Sequence, residues 1–138
     1  MQLHLTVLCL LLSFGVKAQH SQEVHITNIE KKKGTLYIGW YDKKETFMKP
    51  KQTVFVKMVK VDQQDEIKAV FDKIPAGKYA ISVFLDENGN GDLDFSLIGI
   101  PQEKYGFTNG TPAMRPATFN EATIEVKGAQ QVFPVRLR

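Results

Sequence analysis

The sequence predicts an all-β fold: an antiparallel β-sandwich of about seven strands with one long ordered loop. Three observations predict it. Apolar residues recur with a period of two along most of the chain, the period of a half-buried strand. The strand-like runs are short and separated by turn-forming residues, the pattern of two packed antiparallel sheets. No connection carries an apolar stripe at helical spacing.

The first segment stands outside this pattern. Residues 1–18, MQLHLTVLCLLLSFGVKA, hold an apolar run from Leu5 to Leu12 interrupted only by Thr6 and end in Val16-Lys17-Ala18. These are the features of a secretory signal peptide cut before Gln19, and the run is too short to serve as a membrane span. Cys9 lies within it behind Leu8, where a lipoprotein site would need a small residue. The expected mature domain is residues 19–138, which contain no cysteine, so packing rather than disulfides must hold the fold. Export to a periplasm, a cell surface or the medium follows as an expectation.

The strands are expected in this order. EVHITNIE (23–30) and TLYIGWY (35–41) flank the turn signal KKKG and predict a hairpin, with Leu36, Ile38 and Trp40 on one face. TVFVKMVKV (53–61) is a β-branched run, and EIKAVFD (66–72) aligns Ile67, Ala69 and Phe71. Pro75 and Gly77 give a turn, after which Tyr79, Ile81, Val83 and Leu85 share one face of KYAISVFLD. ATIEVKG (122–128) and QVFPVRLR (131–138) close the chain, and Pro134 marks the last run as an edge strand or a bulge. The charged stretches KETFMKPKQ and VDQQDE read as connections.

Between Asp86 and Ala117 the strand pattern lapses for 32 residues that include five glycines and three prolines. A loop this long in a small domain is functional or disordered. Phe95, Leu97, Ile98, Ile100, Tyr105, Phe107 and Met114 predict an ordered excursion that packs down, with a short strand near 93–98.

The excursion opens on FLDENGNGDLDFSLIGIP, which sets Asp86, Asn88, Asn90, Asp92 and Asp94 at alternate positions around Gly91. Calcium takes six to eight oxygen ligands from carboxylates, amides and carbonyls. Counted as a calcium loop from Asp86, the ligand positions one, three, five, seven and nine and the glycine at six all match. Position twelve, where a bidentate glutamate belongs, is Leu97, and a strand rather than a helix leads in, so this is not an EF-hand. The missing oxygens would come from Glu103, Glu87, backbone or water. The competing reading is a network of Asx turns with no ion, because Asp and Asn bond their own backbone readily. Both readings stand at this stage.

Other chemistry finds little support. His20 lies at the new terminus, His25 in the first strand, and Ser21, Ser82 and Ser96 have no nucleophile context. A carbohydrate-active enzyme using the carboxylates of the 86–103 loop is the alternative to a non-enzymatic module. Residues 19–60 hold nine lysines against four acidic side chains, and residues 61–138 eight basic against eleven acidic. This asymmetry reads as solvated strand faces, and no platform for nucleic acid is visible. Asn109-Gly110-Thr111 spells a glycosylation sequon by accident.

The run IPAGKYAISVFLDENGNGDLDFSLIGIPQEKYGFTNG, followed by PATFNEATIEV, resembles the DUF2141 family of uncharacterised bacterial secreted proteins. Leu85 stands where that family often has histidine, and Thr108 where it has serine. The resemblance implies a sandwich of immunoglobulin or transthyretin type, exported by a bacterium of the Bacteroidetes kind, and supplies no activity. The expectation is a binding or structural module whose loop, with Glu103, Tyr105, Phe107 and Asn109 beside it, meets a protein or glycan of the cell envelope.

Overall fold

The computed structural model describes residues 20–138; the expected leader, its cut before Gln19 and Cys9 lie outside the described residues. Eight strands form two sheets. In chain order they are β1 (His20–Thr27), β2 (Lys33–Tyr41), β3 (Phe55–Asp62), β4 (Ile67–Ile74), β5 (Gly77–Asp86), β6 (Tyr105–Phe107), β7 (Thr123–Val126) and β8 (Val132–Arg136). One sheet has the order β4-β1-β8; the other runs β3-β2-β5-β6, with β7 also paired to β5.

The expected hairpin of the first two strands does not form. β1 pairs with β4 and β8, whereas β2 pairs with β3 and β5. The link between them crosses from sheet to sheet: Asn28, Glu30 and Lys31 take left-handed backbone angles, and Ile29 is fully buried as the chain passes. The link from β3 to β4 crosses beside it, and the two are tied by hydrogen bonds from Ile29 N–H to the Asp65 carbonyl (3.1 Å) and from Glu30 N–H to Asp65 Oδ1 (3.1 Å). The chain crosses a third time at Pro75, where the Tyr79 hydroxyl donates to the Pro75 carbonyl at 2.9 Å.

The expected purely antiparallel pairing is also corrected, because β8 lies parallel to β1, with Glu23 opposite Val132. β8 is an edge strand, which is why Pro134 is tolerated there. The eighth strand is β6, inside the excursion. Near 93–98, where a strand was expected, there is only an isolated bridge between Phe95 and Pro101. The charged connection before β3 contains two 3-10 turns, Lys44–Thr46 and Pro50–Gln52. One helical turn, α1 (Phe119–Ala122), precedes β7, and Thr118 and Glu121 close its start as a capping box.

Both sheets send side chains into one core. The alternation read from the sequence holds: Leu36, Ile38 and Trp40 of β2 and Tyr79, Ile81, Val83 and Leu85 of β5 all point into it. Trp40 is its centre, with the rings of Phe71, Tyr79, Phe133 and Phe55 at 5.4, 5.6, 5.9 and 6.3 Å. Its indole N–H has no oxygen or nitrogen partner among the described residues.

At one edge the sheets are joined. Tyr105 and Arg138 exchange backbone hydrogen bonds of 3.2 and 2.9 Å, which ties β6 to the chain just after β8. Gly106 makes this approach possible, since a Cβ there would stand 2.7 Å from the Arg136 carbonyl oxygen and 2.8 Å from Val135 Cγ1.

Candidate functional site

The Asp86 loop is a closed hydrogen-bond network. Asp86 ends β5 with its side chain buried, 3% exposed. Its two oxygens accept the N–H groups of Gly89 (2.9 Å) and Gly91 (2.8 Å), both glycines in the left-handed region that turns those N–H groups inward. Asn88 Oδ1 accepts from Asn90 N–H (3.1 Å), and Asn90 Oδ1 from Asp92 N–H (3.0 Å), as two successive Asx turns. Both side-chain amides then donate to Asp94, Asn88 to Oδ2 at 2.6 Å and Asn90 to Oδ1 at 2.7 Å.

Glu103 fastens this loop from below. It is 8% exposed, and its oxygens accept from the N–H groups of Glu87 (3.1 Å) and Asp94 (3.4 Å). Burial pushes its carboxyl above the usual 4.5; the two N–H donors oppose the shift, and the nearby Asp94 and Asp86 carboxylates add to it. Among the described residues, none of Asp86, Asp94 and Glu103 has a salt-bridge partner.

Three of the five residues singled out as calcium ligands, Asn88, Asn90 and Asp94, thus meet through their side chains, while the Asp86 carboxylate holds only backbone N–H groups of the loop. Asp92 joins only by its N–H, and its exposed side chain borders a neighbouring cleft. No trio of His, Cys, Asp or Glu side chains converges on a common point among the described residues. The Asn88 and Asn90 amides aim N–H donors, not carbonyl oxygens, at Asp94, so a cation would fit only after they turn.

The expected surface beside the loop is arranged differently. Glu103, Tyr105 and Phe107 are buried. The Tyr105 hydroxyl donates to the Pro112 carbonyl (3.1 Å), while Asn109 takes a left-handed angle and donates its amide to the carbonyls of Glu121 (3.2 Å) and Thr123 (2.7 Å). Nor does the excursion pack down throughout. Leu97, Ile98 and Met114 stand in solvent, because a tight turn closed by the Gly99 N–H to Ser96 carbonyl bond (2.9 Å) lifts Leu97 and Ile98 off the body.

What the sequence reading misses is the outer face of the five-stranded sheet. Along β2 the outward residues are Tyr37, Gly39 and Tyr41, and along β5 Ala80, Ser82 and Phe84, so both strands are apolar on both faces. Tyr37 and Phe84 stack flat at 4.9 Å. Phe47 lies over this face, its ring 5.4 Å from Tyr41 and 5.8 Å from Phe107. Burial pushes the Tyr41 phenol up, opposed by its hydrogen bond with Ser82.

The cover leaves a cleft of about 300 Å³ floored by Ser82, Phe84, Tyr105 and Phe107 and walled by Met48 and Leu93. A more open hollow of about 660 Å³ adjoins it over Tyr37, Val56 and Met58, and the two share Met48, Pro50 and Asp92. The readable signal is the run YAISVFL, apolar at successive positions as in a strand covered on both sides. On another side, Glu30 and Glu103 border a hollow of about 350 Å³. The hydrogen bond and charge of Lys104, 2.8 Å away, hold Glu30 below its usual range.

Among the described residues, no helix is long and apolar enough to cross a membrane. No curated protein matches the chain, and no solved structure does. A family model described as an uncharacterized protein conserved in bacteria, DUF2141, matches residues 24–133, from within β1 to within β8, and the chain belongs to that family.

Proposed function

We propose that this protein is an exported, non-enzymatic binding module whose ligand-bearing surface is the outer face of the five-stranded sheet. The observation that carries this reading is the apolar cleft of about 300 Å³ beside the Asp86 loop, at the lower end of the size of small-molecule sites. Its floor is fixed by paired strands, and its rim by the hydrogen bonds of Asp86, Asp94 and Glu103. Such a site is formed before anything binds, which spares the ligand the cost of ordering it. The frame is read as a β-sandwich of immunoglobulin or transthyretin type. A tyrosine hydroxyl bonded to the backbone four residues upstream, as at Tyr79 and Pro75, supports this, since immunoglobulin-type domains use that corner.

Calcium belongs to this proposal as a stabiliser of the rim. Asp86, Asp94 and Glu103 crowd negative charge at the loop base without a salt-bridge partner among the described residues. Asp86, Asn88, Asn90, Asp92 and Asp94 would supply oxygens once the two amides turn from Asp94. With the bidentate glutamate missing, the affinity belongs in the weak range of about 10⁻⁴–10⁻³ M. The enzymatic alternative has weaker support: of the two carboxylates on the 350 Å³ hollow, Glu103 is occupied by backbone N–H groups and Glu30 by Lys104.

The test is a titration of the purified protein with the uncharged fluorophore N-phenyl-1-naphthylamine. A saturable rise in emission is expected, and Ser82→Phe, which fills the cleft, should abolish it. A linear, unsaturable response would remove the cleft as a site. In parallel, millimolar calcium should raise the melting temperature, and Asp86→Ala should abolish that rise. An unchanged melt removes the ion and leaves the cleft standing.

A further inference from the structure

Resting on that reading of the cleft, we infer that its ligand is a single hydrocarbon chain ending in a carboxylate, a medium-chain fatty acid anion. The two hollows adjoin, with Met48, Pro50 and Asp92 lining both, and are taken together as one groove. Its floor crosses all four strands in the order β3-β2-β5-β6: Met58, then Tyr37, Phe84 and Phe107. Three strand spacings make it about 14 Å long. The groove therefore runs across the strands and is narrow, apolar and elongated, the shape of one extended acyl chain.

Its direction and chemistry exclude the competing occupants. A peptide lying across the strands cannot add to a sheet edge, so its N–H and C=O groups would face the floor. That floor offers little in exchange: of Ser82, Phe84, Tyr105 and Phe107 only two carry hydroxyls, and that of Tyr105 already donates to the Pro112 carbonyl. Each polar group left unpaired costs about 1–3 kcal/mol, and a sugar ring would strand its hydroxyls in the same way. A hydrocarbon chain has no such groups.

The head is assigned by charge. At the open end Lys49 and Lys51 flank the groove, and neither makes a salt bridge among the described residues. Asp92 stands on the wall with the Asp86 loop. Two ammonium groups against one carboxylate leave one positive charge, which a monoanionic carboxylate neutralises and a phosphate dianion overshoots. Both lysines are exposed, so their ammonium ends are in water at the mouth of the groove.

Displacement of bound N-phenyl-1-naphthylamine tests this. Laurate should displace the fluorophore at roughly fivefold to tenfold lower concentration than dodecanol, the worth of two exposed charge pairs, and dodecyltrimethylammonium should compete least. The advantage of laurate over dodecanol should collapse in the Lys49→Gln/Lys51→Gln double variant, read as a ratio within one protein so that a change in folding cancels. It should also shrink in high salt. Equal displacement by laurate and dodecanol in the native protein, or an unchanged ratio in the double variant, overturns the carboxylate head while the fluorophore signal keeps the cleft. Preference for dodecyl phosphate reassigns the head, and preference for an apolar peptide overturns the acyl chain. Absence of fluorophore binding overturns cleft and ligand together.

Discussion

The two faces of the five-stranded sheet are built from the same strands and from similar residues, yet they end in different states. The inner face meets a second sheet, and Trp40 sits there among four rings, fully buried. The outer face meets only short irregular pieces: the two 3-10 turns, the Asp86 loop, the 108–118 segment and the single helical turn α1. Loops follow their own hydrogen bonds before they follow the surface beneath, so Phe84 and Tyr37 are covered in part and a cleft remains. Apolar composition alone therefore does not distinguish a closed core from a face that keeps a cleft; the rigidity and periodicity of what covers it do.

The largest effect that can break this contrast is at Trp40. Trp40→Ala should cost about 3–5 kcal/mol in urea unfolding, because a closely packed site cannot collapse around the loss. Ser82→Phe, which adds a ring on the opposite face, should stay within about 1 kcal/mol. Equal losses at the two positions would mean that the cleft is not usable space. Next in size is the rim. Asp86→Ala leaves the Gly89 and Gly91 N–H groups without their acceptor and should cost about 2–3 kcal/mol, with amide exchange at those two glycines accelerated. Unaltered exchange would show that the turn holds itself without Asp86.

The smallest effect is the pH dependence from Glu103. Its native carboxyl titrates above the ordinary 4.5, so above that value the folded protein holds more proton than the unfolded chain. Stability should therefore fall as pH rises from 4.5 through the native titration, then level off. Glu103→Gln should flatten that fall in urea midpoints measured across the interval. A slope unchanged by the substitution would assign the dependence to another group.

Period-two patterning made one face of each main strand legible, as the buried set Tyr79, Ile81, Val83 and Leu85 shows. It could not say which strand lies beside which, so β1 and β2 were joined across KKKG although Ile29 carries the chain to the other sheet. The Asp86 loop was legible because its residues are neighbours in sequence and its turns are local. The cleft was not, because Met48, Ser82, Leu93 and Phe107 come from four segments that only the folded sheet unites. Leu97 and Ile98 misled because hydrophobicity was read as burial, whereas the Ser96 turn holds them outward.

The parallel pairing of β1 with β8 has a consequence in time. Glu23 and Val132, 109 positions apart, lie side by side in one ladder, so the three-stranded sheet cannot be completed until β8 has emerged from the ribosome. Until then β1 offers an unsatisfied row of backbone groups to any other extended segment. Closing so distant a contact is slow, because the entropy of the intervening loop is lost before the contact returns anything. The nascent domain is thus kept from its final form until β8 is made, an interval in which it stays pliable and open to whatever machinery handles unfolded chains.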